Sequence, residues 1–586
     1  MCGGGSRPVS ENVIGRPQAA SASQIDRLRS GETAILVLLA VAIAVVLPPF
    51  LFLVRASLAV GSADAERYGF DNFLAVIAQS GAELWVTTVV YALGSSVLAI
   101  ALGVSSAWLV ARTDVPFRRT ALVAALLSLA VPVIIKSIGW IMLLGPNSGL
   151  VNVVLRSFLG GDEGPIQLYS LGGMVFVEGM LWTPVVFLLA LPVLSAMDPS
   201  LEEAATTAGG SARQTFQRVT LPLMRPSVAA VFLLALIRSL ESFEVPLLIG
   251  APGNLQTLTT AIYQTIHTGF LPKYGEASAY AVFLLLIVAA PLAYYHRLTR
   301  QADRFATITG KGFRPRRFRL GTWRVPLGLY LLTIPVSLVA PLLILLWASF
   351  LPVYKPPELA DFAQLSLANY ASVWGRADTL SGLGNSALVG FWSATIVIAL
   401  TFTAAWLIVR YRGPARAALD FVISVPLVFP GIVLGITVLI EFLRLPMIPI
   451  YGTIWILVFA FLIRFMPYGM RFCHAGILAI HRELEECGRI CGASTLTVLW
   501  RIVLPLALPS VVAAWLYVFL HTIRDLSIAI LLSGPGRQVI AVVILDLWNN
   551  GEVPELAALA VTMAAAVTAL GVLLIWLGRR IGGLAI

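Results

Sequence analysis

The chain has 586 residues, 58% of them hydrophobic and only 12% charged, with a mean hydropathy of +0.88. That balance excludes a soluble globular domain. The formal net charge of +10 does not make it a nucleic-acid binder, because the basic residues lie between apolar runs, where they orient a membrane protein.

Taken in order, Met1 to Glu32 is polar and rich in Gly, Ser and Pro. It reads as a disordered cytoplasmic tail, 1–32, with no cleavable signal peptide. A helix needs about 20 apolar residues to cross the hydrocarbon core. The runs 34–58, 84–111, 117–144, 171–195, 222–250 and 278–298 supply six such helices. A basic stretch, 299–324, separates them from six more at 325–350, 385–410, 416–443, 453–478, 505–533 and 556–579. Backbone groups in lipid must be satisfied within their own segment, so these are helices, with Pro132, Pro184, Pro430 and Pro467 tolerated as kinks. The fold expected is all-α and polytopic, with about 12 transmembrane helices in two domains, 33–298 and 325–586.

The stretch between them carries Arg297, Arg300, Arg304, Lys311, Arg314, Arg316, Arg317, Arg319 and Arg324 against Asp303 alone. The positive-inside rule makes that linker cytoplasmic. Both chain termini then lie inside as well, as expected of a multi-pass protein of the bacterial inner membrane.

The two halves are parallel repeats, most visible in one polar island each. Glu203-Ala-Ala-Thr-Thr-Ala-Gly209, running on to Val219-Thr-Leu-Pro222, returns 283 residues later as Glu486-Cys-Gly-Arg-Ile-Cys-Gly492, running on to Ile502-Val-Leu-Pro505. Earlier positions match at an offset of 298 (Pro132 with Pro430), so the first half carries about fifteen extra residues, placed in the loop Gly145 to Ser170. Asp198-Pro199 is a helix start. Gly209-Gly210 is a stop, and Ser211 with Gln214 is a capping box opening a second short helix that ends at Pro222. Two short helices meeting at a glycine, twice over, suit a partner with two-fold symmetry.

The pattern Glu-Ala-Ala, three residues, Gly, nine residues, aliphatic-x-Leu-Pro resembles the EAA loop of permease subunits of binding-protein-dependent ABC importers. The resemblance implies two fused permease domains whose loops dock on an ATP-binding-cassette ATPase dimer. Docking would involve Glu202, Glu203, Ala204, Ala205 and Gly209, and then Glu485, Glu486 and Gly492. The second copy departs from the pattern at Cys487-Gly488. It also implies an external solute-binding protein as a second partner, alongside membrane lipid. The chain lacks the G-x-x-x-x-G-K-[ST] phosphate loop, so no cofactor is expected in it, and ATP belongs to the partner subunit.

Ionisable groups inside spans line a path or pair with one another. Glu241 and Glu244 share a helical face one turn after Arg238, and Arg524 and Asp525 occupy the matching place in the eleventh span. These four are the pathway candidates. Either Arg238 merely pairs with Glu241, or the carboxylates face the passage and attract a cation. Lys136, Glu178, Glu441, Arg464 and Asp546 are further charges within spans. Leu240-Glu-Ser-Phe-Glu-Val-Pro246 looks like the ferric-iron subfamily, which is also similar to permeases for thiamine, aminophosphonates, polyamines and sugars. Cys473, Cys487 and Cys491 lack zinc-like spacing; they read as small buried residues at the docking helix, and neither a metal nor a catalytic site is expected. A secondary transporter of six plus six helices would explain the helix count but not the matching islands.

Overall fold

The computed structural model describes residues 22–61, 66–161, 164–198, 200–300, 317–411, 413–445, 447–534 and 536–580. The first half comprises α1 Ala22–Leu58, α2 Asp71–Arg112, α3 Arg118–Ser128, α4 Val133–Leu144, α5 Leu150–Leu159, α6 Leu171–Ala196, α7 Ser200–Thr207, α8 Ala212–Thr215, α9 Leu221–Glu241, α10 Leu258–His267 and α11 Tyr274–Arg300. The second comprises α12 Arg324–Leu331, α13 Thr333–Ser349, α14 Ala368–Gly375, α15 Ala377–Arg410, α16 Pro414–Ser424, α17 Gly431–Arg444, α18 Ile454–Leu478, α19 Arg482–Ile490, α20 Thr495–Val498, α21 Leu504–Arg524, α22 Ala529–Leu532, α23 Ile540–Asn549 and α24 Val553–Arg580. Among the described residues, nine helices are long and apolar enough to cross a membrane, and two bent pairs bring the number to eleven. The twelfth expected span coincides with α24, whose apolar stretch is described over 553–569. Most of the basic linker, 301–316, and of the tail, 1–21, lies outside the described residues; α1 is already helical at Ala22, ahead of the expected start.

Two of the four prolines do more than kink. Ahead of Pro132 and Pro430 the third span of each half breaks, by 117° between α3 and α4 and by 106° between α16 and α17. Proline has no N–H for the preceding turn and forces the residue before it into extended backbone; Phe429 accordingly sits at φ −86°, ψ 112°. Pro184 and Pro467 stay inside continuous helices.

Both broken pairs still cross. Pro116, just before α3, meets Gly328 of α12; Gly139 of α4 meets Pro341 of α13; and Met142 and Ser148 accept from Tyr354, beyond the far end of α13. The pair therefore climbs the whole length of a spanning helix. Likewise Gly413 lies near Glu32, where the spanning part of α1 begins, while Arg444 at the end of α17 reaches Glu66, just past the far end of α1.

These contacts exchange helices between the halves. α1 packs on α16 and α17 of the second half, and α13 packs on α3 and α4 of the first. A Cβ on Gly139 would lie 2.6 Å from the Pro341 carbonyl oxygen, so this crossing needs glycine's missing side chain. The fifteen-residue surplus forms α5, pinned by Asn152, which donates to the Leu144, Gly145 and Ile166 carbonyls at 2.9–3.0 Å.

The fifth and eleventh spans differ from expectation at both ends. Each starts earlier, as one continuous helix, 212–241 and 495–524, and stops nine residues sooner than expected. Pro222 and Pro505 do not interrupt them, because a π-helical turn at Phe216–Thr220 and at Leu499–Val503 absorbs the missing N–H. They end at Glu241 and Arg524, where Ser242 and Asp525 turn extended. The freed Ser242 carbonyl accepts from Thr259 Oγ1 at 2.8 Å, and Asp525 Oδ1 accepts from the Ile528 N–H at 3.0 Å.

Candidate functional site

The two polar islands fold alike. Asp198 Oδ1 accepts from the Ser200 N–H, α7 runs to Thr207, and Gly209 takes the left-handed conformation at φ +85°. Ser211 caps α8 in a reciprocal box with Gln214. In the second half α19 ends before Gly492, also at φ +85°, and Ser494 caps α20 through the Thr497 N–H. Nothing would obstruct a side chain at either glycine; only the backbone conformation requires one.

Within each island the neighbouring glutamates point opposite ways. Glu202 is buried and lies 2.9 Å from Arg112 Nε, their side chains 3% and 0% exposed. Thr220 Oγ1 donates to the same carboxylate at 2.6 Å, and Arg112 Nη2 donates to the Met197 carbonyl at 2.9 Å. Glu485 repeats this with Arg410 Nε at 2.6 Å, and Arg410 Nη2 reaches the Ile480 carbonyl at 2.9 Å. Val503 stands in Thr220's place, and Trp406 Nε1 and Arg489 supply the remaining contacts, at 3.3 and 3.6 Å. So Glu202 and Glu485 are turned into the chain itself, each latching its island to the end of the second span of its half. Glu203, Ala204, Glu486 and Gly492 are exposed, and Ala205 is half-buried.

The departure at Cys487-Gly488 has a packing reason. A Cβ on Gly488 would fall 2.5 Å from Ile502 Cδ1, and Ile502 stands where the first half has the smaller Val219. The cysteines correct the expectation of buried packing: Cys473 is buried, but Cys487 and Cys491 are exposed, because their side of α19 faces away from the bundle.

The mid-membrane charges converge where the halves meet, around a cavity of about 170 Å3. Its walls include Glu178, Glu241 and Glu244, and the bases Lys136, Arg238, Arg464 and Arg524. Three of the bases occupy carbonyls freed by the helix breaks, which lipid cannot satisfy. Lys136 Nζ donates to Ser128 O at 3.0 Å, Arg524 to Leu129 O and Arg464 to Phe429 O. Glu241 lies 3.0 Å from Arg238 Nη1 and 3.3 Å from Arg464 Nη2 of the other half. The expected Arg238–Glu241 pair is therefore present, and Glu241 also lines the cavity. Glu178 accepts from Trp182 at 3.0 Å and Ser242 at 3.1 Å. Glu244 lines the cavity across from Arg524, and its counterpart Ser527 lines it too. Asp525 caps the following turn instead of joining the wall.

Arg112 and Arg410 were legible only as positive charges at span ends. Their recurrence at the 298 offset, beside glutamates recurring at 283, is the signal that marks them as latches. Among the described residues, no three His, Cys, Asp or Glu side chains are grouped to hold a metal ion.

Comparison with known proteins places these features in a family. The family model described as "Binding-protein-dependent transport system inner membrane component" matches the chain twice, over residues 99–307 and 397–582. The chain is 26% identical over 434 residues to the ferric transport system permease protein FbpB of Actinobacillus pleuropneumoniae, covering 73% of this chain and 61% of that one. It is 26% identical over 437 residues to putative ferric transport system permease protein FbpB 1 of Haemophilus influenzae, covering 72% and 66%. It thus spans a little under two thirds of the length of these two relatives. It is also 28% identical over 257 residues to the putrescine transport system permease protein PotI of Escherichia coli, covering 41% of this chain and 90% of that one. The crystal structure of a bacterial alginate ABC transporter in complex with an alginate pentasaccharide-bound periplasmic protein superposes with a TM-score of 0.39 at 20% identity, over 49% of this chain and 99% of that one.

Proposed function

Because this chain belongs to the family of binding-protein-dependent transport system inner membrane components, we propose that it forms the membrane pathway of an ATP-driven importer, two permease halves fused in one chain. The observation that carries this reading is the pair of latched islands. Each exposes one face of a short helix on the same side of the bundle, while a buried Arg–Glu pair ties the other face rigidly to a spanning helix. A push on either island is delivered to a membrane helix instead of being lost in a loose loop. The push comes from a separate ATPase dimer in the cytoplasm, seated on Glu203, Ala204 and Gly209 and on Glu486 and Gly492. The cargo arrives from an external binding protein, and the names of the relatives favour ferric iron over polyamines, sugars, thiamine or aminophosphonates.

The test is reconstitution of the full complex in proteoliposomes with ferric citrate labelled with radioactive iron. Glu203→Ala combined with Glu486→Ala should lower ATP-dependent uptake at least tenfold at unchanged protein level. Uptake that proceeds without any ATPase and collapses with the proton gradient would establish a secondary transporter instead.

A further inference from the structure

We propose that Arg238 and Tyr468 form the gate that closes the mid-membrane chamber on its island side, with Glu241 positioning the arginine instead of receiving cargo. α9 runs from the first island toward Glu241, so Arg238 lies one turn on the island side of the chamber. α18 runs toward the second island, so Tyr468 lies one turn on the same side of Arg464. At this level the halves join: Arg238 Nη2 donates to Tyr468 Oη, and the guanidinium stands 5.9 Å from the Tyr468 ring centroid.

The two sides of this closure are chemically unlike. The second half supplies an aromatic socket, with Tyr468 and Tyr517 centroids 5.4 Å apart, Tyr517 stacked on His521 at 3.9 Å, and Phe472 5.5 Å from Tyr517. The matching positions of the first half are Val185, Leu234, Arg238 and Leu189, so one arginine bolts into rings that have no twin. The strength of the contact also suits a gate. The island latches are buried ion pairs, Arg112–Glu202 fully and Arg410–Glu485 with the arginine only 10% exposed, and so costly to open. The Arg238 side chain is 31% exposed and crosses to the other half through one hydroxyl and one ring face, a contact weak enough to be made and broken in each cycle. Glu241 holds Arg238 on its own half and Arg464 on the other, so it fixes where the bolt points. Glu244, on the far side of Glu241, is left to face the chamber.

Accessibility tests this without ATPase or cargo, so it stands apart from the importer reading, on which it rests only for naming the island side cytoplasmic. In the full-length chain, Cys2, Cys473, Cys487 and Cys491 are replaced by serine and Glu244→Cys is introduced. Inside-out vesicles are then treated with a membrane-impermeant trimethylammonium methanethiosulfonate. Tyr468→Ala and Arg238→Ala should each raise the labelling rate from the island side at least tenfold, with labelling in right-side-out vesicles unchanged. Arg238→Lys should also raise it, although the positive charge remains. An unchanged rate, an equal rise from both sides, or a rise with Arg238→Ala alone overturns the gate. Absence of ATP-dependent uptake by the unsubstituted protein, with these rates as expected, counts against the importer and not against the gate.

Discussion

Arg112 and Glu202 meet at 2.9 Å with almost no solvent on either side chain, and Arg410 and Glu485 repeat the relationship in the other half. Removing one partner strands a buried charge, which costs about 3–5 kcal/mol. Arg112→Ala and Arg410→Ala should therefore each lower the thermal midpoint of the purified protein by several degrees. The exposed Glu203→Ala should leave it unchanged, within about 0.5 kcal/mol. Scanning calorimetry in detergent distinguishes the two neighbours.

The left-handed glycines make a prediction about equality. Gly209 and Gly492 share φ +85° and open space around the missing Cβ, so alanine at either costs only backbone strain, about 1–2 kcal/mol. Thermal midpoints of Gly209→Ala and Gly492→Ala should fall alike. A large difference between them would mean the islands are not equivalent in the free protein.

Gly139 tests the exchange of helices. A Cβ there would stand 2.6 Å from the Pro341 carbonyl oxygen, so Gly139→Val forces α4 and α13 apart and should cost about 1–3 kcal/mol. Gly384, whose added Cβ would meet nothing within 4 Å, should accept alanine with a change below about 1 kcal/mol. Thermal unfolding of the two variants compares crossing with open space.

Outside the spans, Glu66 is held below the usual carboxylate range by hydrogen bonds from Arg55, and then from Arg444 of the other half. A carboxyl depressed in the folded state contributes stability above its unfolded value, about 4.3. That contribution is lost as pH falls through the lower folded value. The tie between the end of α1 and the end of α17 should thus weaken only below about pH 4. Glu66→Gln should remove that segment of the pH dependence of the thermal midpoint measured from pH 6 to pH 3.

Much of the chain was legible in one dimension. The islands, their caps at Asp198 and Ser211, the stop at Gly209 and the position of the surplus residues all rest on local rules, which act over a few residues whatever the surroundings. The misjudged features are those where two local rules compete. Pro222 could end a helix or be absorbed by a π turn, and Pro132 could kink a span or break it. The outcome depends on whether something distant satisfies the freed carbonyls, as Lys136 and Arg524 do for Ser128 and Leu129.

By itself the sequence determined that this is a duplicated membrane bundle with one polar island per half, because apolar length, charge placement and repetition are properties of the string. Only the tertiary structure decided which of two adjacent glutamates is buried, that each half lends its first spanning helix to the other, and that Arg464 shares Glu241 with Arg238 across more than two hundred residues. Charges in a low-dielectric interior pair with whatever geometry brings within a few ångströms, and that proximity is set by packing between segments that sequence order leaves far apart.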